Sequence, residues 1–271
     1  MIMSGQNICG YDDLIRKHYD GVAKSAGDLP TSTMNDVHIR SMETALITDA
    51  TSSRLEMIDG AASIMDIGCG NGYTLSVLET LFPESTLTGV EYTDSLLEIA
   101  QNCFANSRVT VQSGDIRLAT SLPEQRCDIL LSQRVLINLL NPTDQRAALR
   151  NIMNLVKPGG LLIFVECFKT GLENLNQARA EFGLDFISPA HHNLYLEDDF
   201  FDVPGLTKRE DAPSNAFSTH YYVSRVLHPL FLNVNQCEMT RNSHFVSFFT
   251  QALPQAVGDF APLRFLTFDK Q

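Results

Sequence analysis

A short run of glycines between an apolar segment and a helical pattern constrains this chain most. Ile64, Met65 and Ile67 form the apolar run, and residues 68–72 read G-C-G-N-G directly behind it. A helical pattern of apolar residues follows over 74–82. Glycines let a backbone pass close to a ligand because they carry no Cβ, and the N–H groups that open a helix attract an anionic group. The stretch therefore predicts a β-strand, a ligand-binding glycine loop and a helix.

An acidic residue at the end of the next apolar run narrows the choice of ligand. Glu91 lies at the spacing expected of a carboxylate that accepts hydrogen bonds from both hydroxyls of a ribose. A dinucleotide-binding fold would begin in the same way, but its third glycine, or an alanine in its place, would fall at Tyr73. A nicotinamide-dependent oxidoreductase is thus disfavoured, although binding of a nicotinamide cofactor would revive it.

The string D-I-G-C-G-N-G at residues 66–72 resembles motif I of the class I S-adenosylmethionine-dependent methyltransferases. Two later segments resemble the same family, G-D-I at 114–116 and L-V-K-P-G-G at 155–160. The resemblance is strong over residues 64–166 and looser in the flanks. It implies an α/β fold with a doubly wound, Rossmann-like sheet, and S-adenosyl-L-methionine as the cofactor.

The resemblance also implies cofactor roles for individual positions. Glu91 would hold the ribose, and Tyr92 would lie against the adenine. Asp115, followed by Ile116, would accept a hydrogen bond from the exocyclic amine of the adenine. The residues expected around the methionine part of the cofactor are Asp66, Gly68, Gly70, Asn71 and Gly72.

Charge and composition disfavour several classes of function. A net charge of -12 and a pI near 4.9 argue against a nucleic-acid substrate, which needs a basic surface. The six cysteines include no C-x-x-C pair, and several lie inside apolar runs, where a buried thiol is the ordinary interpretation, so a reducing cytoplasm is expected. No secretion signal and no apolar run of membrane-spanning length is visible. We expect a cytoplasmic enzyme with a small-molecule acceptor and no membrane partner, and a homodimer is left open.

From residue 64 onward, predicted strands alternate with predicted helices, which is typical of a parallel sheet covered on both faces. The strands are predicted at 64–67, 87–91, 109–112, 129–132 and 161–166, and the helices at 74–82, 95–105 and 143–156. Ligands in such sheets bind at the carboxyl ends of the strands. Beyond this region we predict helices near 172–182 and 243–253, a helix start at Glu197, and strands near 206–211 and 263–268.

The N-terminal part carries helical patterns at 11–23 and 34–58. We predict an arm or cover over residues 1–60 and a methyltransferase domain over 61–271, with a cap inserted at about 168–204. Within the arm, Asp36, Arg40 and Glu43 fall on one helix face, for which a solvated, salt-bridged surface is the ordinary interpretation. Such arms close over the cofactor in the resembled superfamily. Arg40 is therefore our predicted partner of the cofactor carboxylate, because a guanidinium suits that group.

The segment after the fourth predicted strand reads S-Q-R-V at 132–135. Amino-methylating nucleic-acid enzymes of the superfamily carry N/D-P-P-Y/F here, so that function is disfavoured. Metal-dependent catechol-type relatives place an aspartate near this position, and Gln133 cannot supply its charge, so we predict no metal. We expect Gln133 to contact the cofactor and Arg134 or Asn138 to face the acceptor. Capping of local carbonyls is an equally good interpretation of Arg134.

Methylation of a hydroxyl requires alignment of the acceptor and removal of its proton. Histidine is the ordinary base at neutral pH, and the candidates are His191, His192 and His220. A single loop histidine is more often structural. However, H-H-N at 191–193 resembles the W-H-N motif of bacterial methyltransferases of surface-polysaccharide and sugar pathways. The segment F-S-T-H-Y-Y-V-S-R at 217–225 similarly resembles their F-S-S-x-Y-Y-x-x-S-R segment.

These features predict metal-independent O-methylation of a small polar acceptor, such as a sugar or a sugar-containing metabolite. His192 or His191 would be the base, with Arg134 facing the acceptor. Further acceptor contacts are predicted for Asn193, Tyr195, Tyr221 and Tyr222. The tyrosines fit a core or interface role as well. Two alternatives stay open: N- or C-methylation of a small metabolite, and a cofactor-binding partner protein without turnover.

Overall fold

The computed structural model describes residues 8–27, 29, 32, 34–210, 212–235 and 242–271. The chain forms two compact units. The first comprises Met1–Thr33, Gly60–Lys157 and Ala190–Leu194, and the second comprises Met34–Asp59, Pro158–Pro189 and Tyr195–Gln271. The two predicted arm helices therefore belong to different units. The division predicted from the sequence, into an arm, a methyltransferase domain and a cap, differs from these two units and stays a prediction.

The secondary structure follows the predicted alternation of strands and helices. The helices within the described residues are α1 (Ile8–Ala26), α2 (Val37–Leu55), α3 (Tyr73–Leu81), α4 (Asp94–Cys103), α5 (Pro142–Asn154), α6 (Lys169–Ala180), α7 (Ser218–Tyr222), α8 (His228–Asn235) and α9 (His244–Ala252). The strands are β1 (Ser63–Ile67), β2 (Thr86–Glu91), β3 (Thr110–Ser113), β4 (Cys127–Gln133), β5 (Val156–Cys167), β6 (Leu206–Lys208) and β7 (Leu263–Lys270). None of the described helices combines the length and the apolar character needed to cross a bilayer.

The first unit is built on parallel strands in the order β3-β2-β1-β4. Its central strand, β1, is buried from Ile64 to Ile67, as expected for a parallel strand covered on both faces. Ile64 lies beside Leu87 of β2 and Ile129 of β4. Because all four strands run in the same direction, their carboxyl ends meet at one edge, where the glycine loop begins.

The second unit contains the antiparallel order β5-β7-β6. Strand β5 is buried from Gly160 to its end, and Leu162 pairs with Phe268 of β7. A π-helical turn at Val223–Leu227 joins α7 to α8. The predicted α/β architecture is observed, with strands of both directions.

Some local predictions were wrong. Residues 197–202 form turns and a short irregular segment instead of a helix. The acids there pair outside their own segment, since Lys169 pairs with Glu197, and Arg264 lies 2.7 Å from Asp198. Strand β6 ends at Lys208, short of the predicted 211. The P-G-G sequence at 158–160 lies inside strand β5, which begins at Val156, directly after Leu155, the C-cap of α5.

The interpretation of the Asp36, Arg40 and Glu43 face of α2 as a solvated surface is also wrong, because all three residues are buried. Arg40 Nη1 lies 3.9 Å from Glu43 Oε2. Asp36 caps α2, and its Oδ1 accepts from the N–H of Ile39 at 3.2 Å. The polar residues on this face of α2 are therefore not solvated. They make polar contacts inside the second unit.

Asp36 Oδ2 lies 3.0 Å from His220 Nε2 and 3.1 Å from Arg225 Nη2. The other ring nitrogen of His220 lies 2.9 Å from Thr250 Oγ1, and the imidazole is fully buried. Burial raises the pKa of Asp36, but the hydrogen bond with His220 and the charge of Arg225 outweigh it, so the pKa lies below its ordinary value. His220 thus has a structural role in this cluster.

We expect Asp36→Ala to lower the free energy of unfolding by about 3–5 kcal/mol at pH 7, because it leaves Arg225 and His220 without their buried partner. Urea denaturation followed by circular dichroism measures the loss. Asp36→Asn, which keeps an oxygen for the helix cap, should lose less.

The pH dependence of this effect has a definite sign. Because the folded-state pKa is lowered, the contribution of Asp36 is present above its ordinary pKa of 3.8 and is lost as the pH falls further. The difference between wild type and Asp36→Ala should therefore narrow below about pH 4. A difference that stays constant into acid would contradict this assignment.

Candidate functional site

The glycine loop follows β1 and leads into α3. Gly68 has φ 72°, and a Cβ there would lie 2.3 Å from Val135 Cγ2. Gly72, which caps α3, has φ 85°, and a Cβ there would lie 2.6 Å from Phe104. Both positions therefore require glycine, for backbone conformation and for space. The amide of Asn71 donates to the carbonyl oxygens of Gly27 and Leu29, which ties the loop to the segment after α1.

Glu91 connects this loop to the end of β2. Its Oε2 accepts from the N–H of Gly70 at 2.9 Å, and its Oε1 accepts from the N–H of Thr93 at 2.8 Å. Burial raises the pKa of Glu91, while these hydrogen bonds favour the charged form. A carboxylate has about four lone-pair sites, so capacity remains for ligand hydroxyls. The residues of this loop and Glu91 fit a ribose-containing cofactor.

Asp115 lies after β3 and is held by Arg117, a residue that sequence reasoning missed. Arg117 donates to Asp115 from its backbone N–H at 2.9 Å and from Nη2 at 2.6 Å. The same Nη2 lies 2.9 Å from Asp12 of α1 and 3.3 Å from the hydroxyl of Tyr92. Hydrogen bonding to Asp115 raises the pKa of Arg117, so its charge is retained.

A second arginine of α1 contacts the same aromatic ring. The guanidinium of Arg16 lies 4.7 Å from the ring centroid of Tyr92, and its Nη1 lies 3.0 Å from Asp94 Oδ2. Ile116 is buried beside Asp115, and its carbonyl accepts from the amide of Asn151 at 2.8 Å. The residues predicted to surround the adenine therefore lie within the first unit, with α1 against them.

The segment after β4 is shaped by an unusual backbone conformation. Arg134 has φ 56°, a left-handed conformation that is uncommon for a residue other than glycine and occurs often at functional sites. Its carbonyl accepts from the amide of Asn138 at 2.9 Å, and that amide also donates to the hydroxyl of Tyr19 at 2.7 Å. Gln133 donates to Thr74 Oγ1 at 2.9 Å. Asn138 thus joins the end of β4 to α1.

Two of the three candidate histidines, His191 and His192, lie on the 190–194 segment of the same unit. The N–H of Leu194 donates to the carbonyl of Ile137 at 2.7 Å, which fixes the segment beside the end of β4. The His192 ring stacks on His18 of α1 with centroids 3.7 Å apart, and His191 meets it edge-on at 5.1 Å. Burial lowers the pKa of His192 to about 4, with smaller effects of His18 and His191. The imidazole is therefore neutral at physiological pH.

Two polar atoms of this segment are buried without a hydrogen-bond partner in the described part of the chain. They are Nδ1 of His192 and Oδ1 of Asn193. Buried polar atoms in folded proteins nearly always have a partner, which is protein or bound water, and an exception requires an explanation. These atoms suit hydrogen bonding to a bound ligand.

Arg40 and the three predicted tyrosines belong to the second unit. Tyr195, Tyr221 and Tyr222 pack against an apolar cluster of Leu172, Leu175, Ala178, Leu184 and Val226. Burial raises the pKa of Tyr195 and Tyr221, so both hydroxyls stay protonated. Packing of this kind agrees with the core role considered for these residues. Their contact with the acceptor, and that of Arg40 with the cofactor, stay predictions.

In the described ranges, no group of three or more histidine, cysteine, aspartate or glutamate side chains is arranged to hold a metal ion. The expected independence from metal stays a prediction.

Comparison with known proteins places the glycine loop in a recognised domain. Residues 64–160 match the model of a methyltransferase domain. A malonyl-(acyl-carrier protein) O-methyltransferase of Halalkalibacterium halodurans is 27% identical over 203 residues, which cover 70% of this chain and 72% of that protein. An enzyme of the same name from Bacillus cereus is 33% identical over 101 residues, which cover 37% of this chain and 36% of that protein. The chain thus matches only about a third of the length of the second relative.

The fold also has solved counterparts. Magnesium protoporphyrin IX methyltransferase from Synechocystis PCC 6803, solved with bound S-adenosylhomocysteine, aligns with a TM-score of 0.58 at 13% identity. The alignment covers 96% of this chain and 100% of that chain. At 13% identity this likeness concerns the fold alone. It confirms the predicted α/β class I methyltransferase fold.

We expect Glu91→Ala to weaken binding of S-adenosylhomocysteine at least tenfold, since hydrogen bonds to a charged group contribute about 1.5–3 kcal/mol. Calorimetric titration measures the affinity. Glu98→Ala is the matched control, because Glu98 is an exposed residue of α4. Equal affinities of wild type and Glu91→Ala would refute the assignment of the ribose to Glu91.

Proposed function

We propose that this chain, a member of the class I S-adenosylmethionine-dependent methyltransferases, methylates an oxygen atom of a small polar acceptor. The observation that carries this proposal is His192, a neutral imidazole with a buried, unpartnered Nδ1 in the described structure, fixed beside the end of β4. The first relatives, which are named O-methyltransferases, support oxygen as the methylated atom.

S-adenosylmethionine supplies, when bound, a methyl group made electrophilic by its positively charged sulfur. The chain has to bind this cofactor in one orientation and to align the acceptor oxygen with the methyl carbon. In our proposal the residues from Asp66 to Gly72 surround the methionine part, and Glu91 binds the ribose. Asp115, Ile116 and Tyr92 bind the adenine, Gln133 contacts the cofactor, and Arg40 pairs with its carboxylate.

His192 would act as the general base for a hydroxyl acceptor. When the bound cofactor supplies its methyl group to the acceptor oxygen, the neutral ring of His192 would accept the proton that the hydroxyl loses. His191 is the alternative base, since it is exposed and lies 5.1 Å from His192 between ring centroids. Asn193, Asn138 and Arg134 provide polar groups to orient the acceptor, and a sugar hydroxyl is our preferred acceptor class.

A carboxylate oxygen is the second candidate acceptor. The relative from Halalkalibacterium halodurans, which aligns with 70% of this chain, is named for a malonyl group on a carrier protein. A carboxylate is already deprotonated at neutral pH and needs no base. Its methylation would therefore tolerate loss of His192, which separates the two candidates. N- or C-methylation and cofactor binding without turnover are weaker alternatives.

We further place the enzyme in the cytoplasm as a small-molecule enzyme without a nucleic-acid partner. Four cysteines in the described residues are free thiols, Cys69, Cys103, Cys127 and Cys167, as is usual in a reducing compartment. The net charge of -12 opposes binding to nucleic acid.

We expect His192→Ala to lower kcat for a hydroxyl acceptor by about 10²–10⁴-fold, the usual contribution of a general base. Affinity for S-adenosylhomocysteine should be unchanged, because the predicted cofactor contacts are made by other residues. The assay is methyl transfer from labelled S-adenosylmethionine to a panel of sugars, hydroxylated metabolites and malonyl thioesters.

His244→Ala is the matched control, since His244 is exposed at the start of α9. Full activity of His192→Ala on a malonyl thioester would favour the carboxylate. Full activity on a hydroxyl acceptor would remove His192 from the mechanism, and the same test on His191→Ala would then decide whether a histidine of this segment is the base.

A further inference from the structure

A histidine that no sequence motif marks lies directly on the proposed base. The ring of His18 in α1 is nearly parallel to that of His192, at an interplanar angle of 26° and a centroid distance of 3.7 Å. The neighbouring ring, Tyr19, lies 6.5 Å from His192 in an edge-on arrangement. One face of the proposed base is therefore covered by α1.

Both sides of this stack are anchored independently. On the α1 side, the Tyr19 hydroxyl accepts from Asn138 at 2.7 Å, and Arg16 pairs with Asp94 at 3.0 Å. On the other side, the N–H of Leu194 donates to the carbonyl of Ile137, and the Leu194 carbonyl accepts from the Gln145 amide at 2.8 Å. The relative position of the His18 and His192 rings is thus fixed by contacts of neighbouring residues on both sides of the stack.

We propose that His18 is a positioning residue for His192, holding its ring in one orientation, shielded from water and uncharged. The catalytic consequence rests on the proposed function of His192, whereas the effect of His18 on the His192 ring does not.

The charges around His192 act in one direction. Protonation of both stacked rings would place two positive charges 3.7 Å apart in a partly dry site, where their repulsion is strong. His191, on the same segment, also lowers the pKa of His192 by its electrostatic effect. Burial and His191 also lower the pKa of His18. The stack therefore favours two neutral rings.

This arrangement determines the acid limit of activity. Since the pKa of His192 is lowered to about 4, the neutral form persists from neutral pH down to that value. A histidine exposed to water would lose its neutral form as the pH falls below about 6.5. By covering the ring and adding to the repulsion, His18 would thereby extend the pH range of the base toward acid.

The test is a histidine NMR titration of the full chain in wild type, His18→Ala and His18→Phe, with the His192 signal assigned from His192→Gln. His18→Ala admits water to the ring face, so the pKa of His192 should rise by at least one unit. His18→Phe keeps an apolar ring on the same face, so the low value should largely persist. Identical His192 titrations in wild type and His18→Ala would overturn the proposal.

The pH profile of kcat then separates this inference from the proposed function. If His192 is the base, the acid limb moves upward in His18→Ala together with the NMR titration and returns in His18→Phe. If the titration moves while the acid limb stays, the effect of His18 on the ring stands and His192 is not the base. A fall of kcat in His18→Ala equal at every pH, with no shift of the limb or the titration, would assign His18 a merely structural role.

Discussion

The carboxylate of Glu91 is the contact on which the cofactor site depends. It accepts from the N–H of Gly70 in the loop and from that of Thr93 at the start of α4, so one buried side chain fixes the loop relative to the end of β2. A buried carboxylate is unfavourable without such partners, and the N–H groups of the loop would otherwise lack an acceptor. The glycines supply the backbone conformations that aim these groups. The loop and the acid are therefore one structural element, although 21 residues separate Gly70 from Glu91.

Helix α1 is attached to this unit by polar side chains at several points along its length. Arg16 contacts Asp94 and Tyr92, Asp12 contacts Arg117, and Asp20 accepts from Ser95 at 2.7 Å. Partly exposed ion pairs stabilise a contact only weakly and are screened by salt. Helix α1 is thus held beside the predicted ligand site by several contacts, each of them individually weak.

The sequence predicted the sheet well because its inner parallel strands, β1 and β4, are short apolar runs bounded by turn residues. Strand β1 was predicted at 64–67 and is Ser63–Ile67, and β4 was predicted at 129–132 and is Cys127–Gln133. A methyltransferase domain was predicted from D-I-G-C-G-N-G, and residues 64–160 match the model of such a domain. What the sequence could not supply are contacts between distant polar residues. His18 meets His192 across 174 positions, and Arg117 gave no sign except its place two residues after Asp115. The burial of Asp36 was missed for the same reason, since its partners His220 and Arg225 are far along the chain.

The π-helical turn at Val223–Leu227, which contains Arg225 and follows His220, helps to bring those two partners to one oxygen. His220 and Arg225 are five positions apart, and in a regular α-helix of 3.6 residues per turn such side chains point about 140° away from each other. A turn closed by i→i+5 hydrogen bonds contains one more residue, which brings positions five apart close to a common face. Both side chains accordingly meet Asp36 Oδ2, at 3.0 and 3.1 Å. The rotation of the helix between these two positions therefore determines whether both side chains can reach Asp36. Removal of a single residue from the turn would restore ideal helical geometry and at the same time separate the imidazole from the guanidinium.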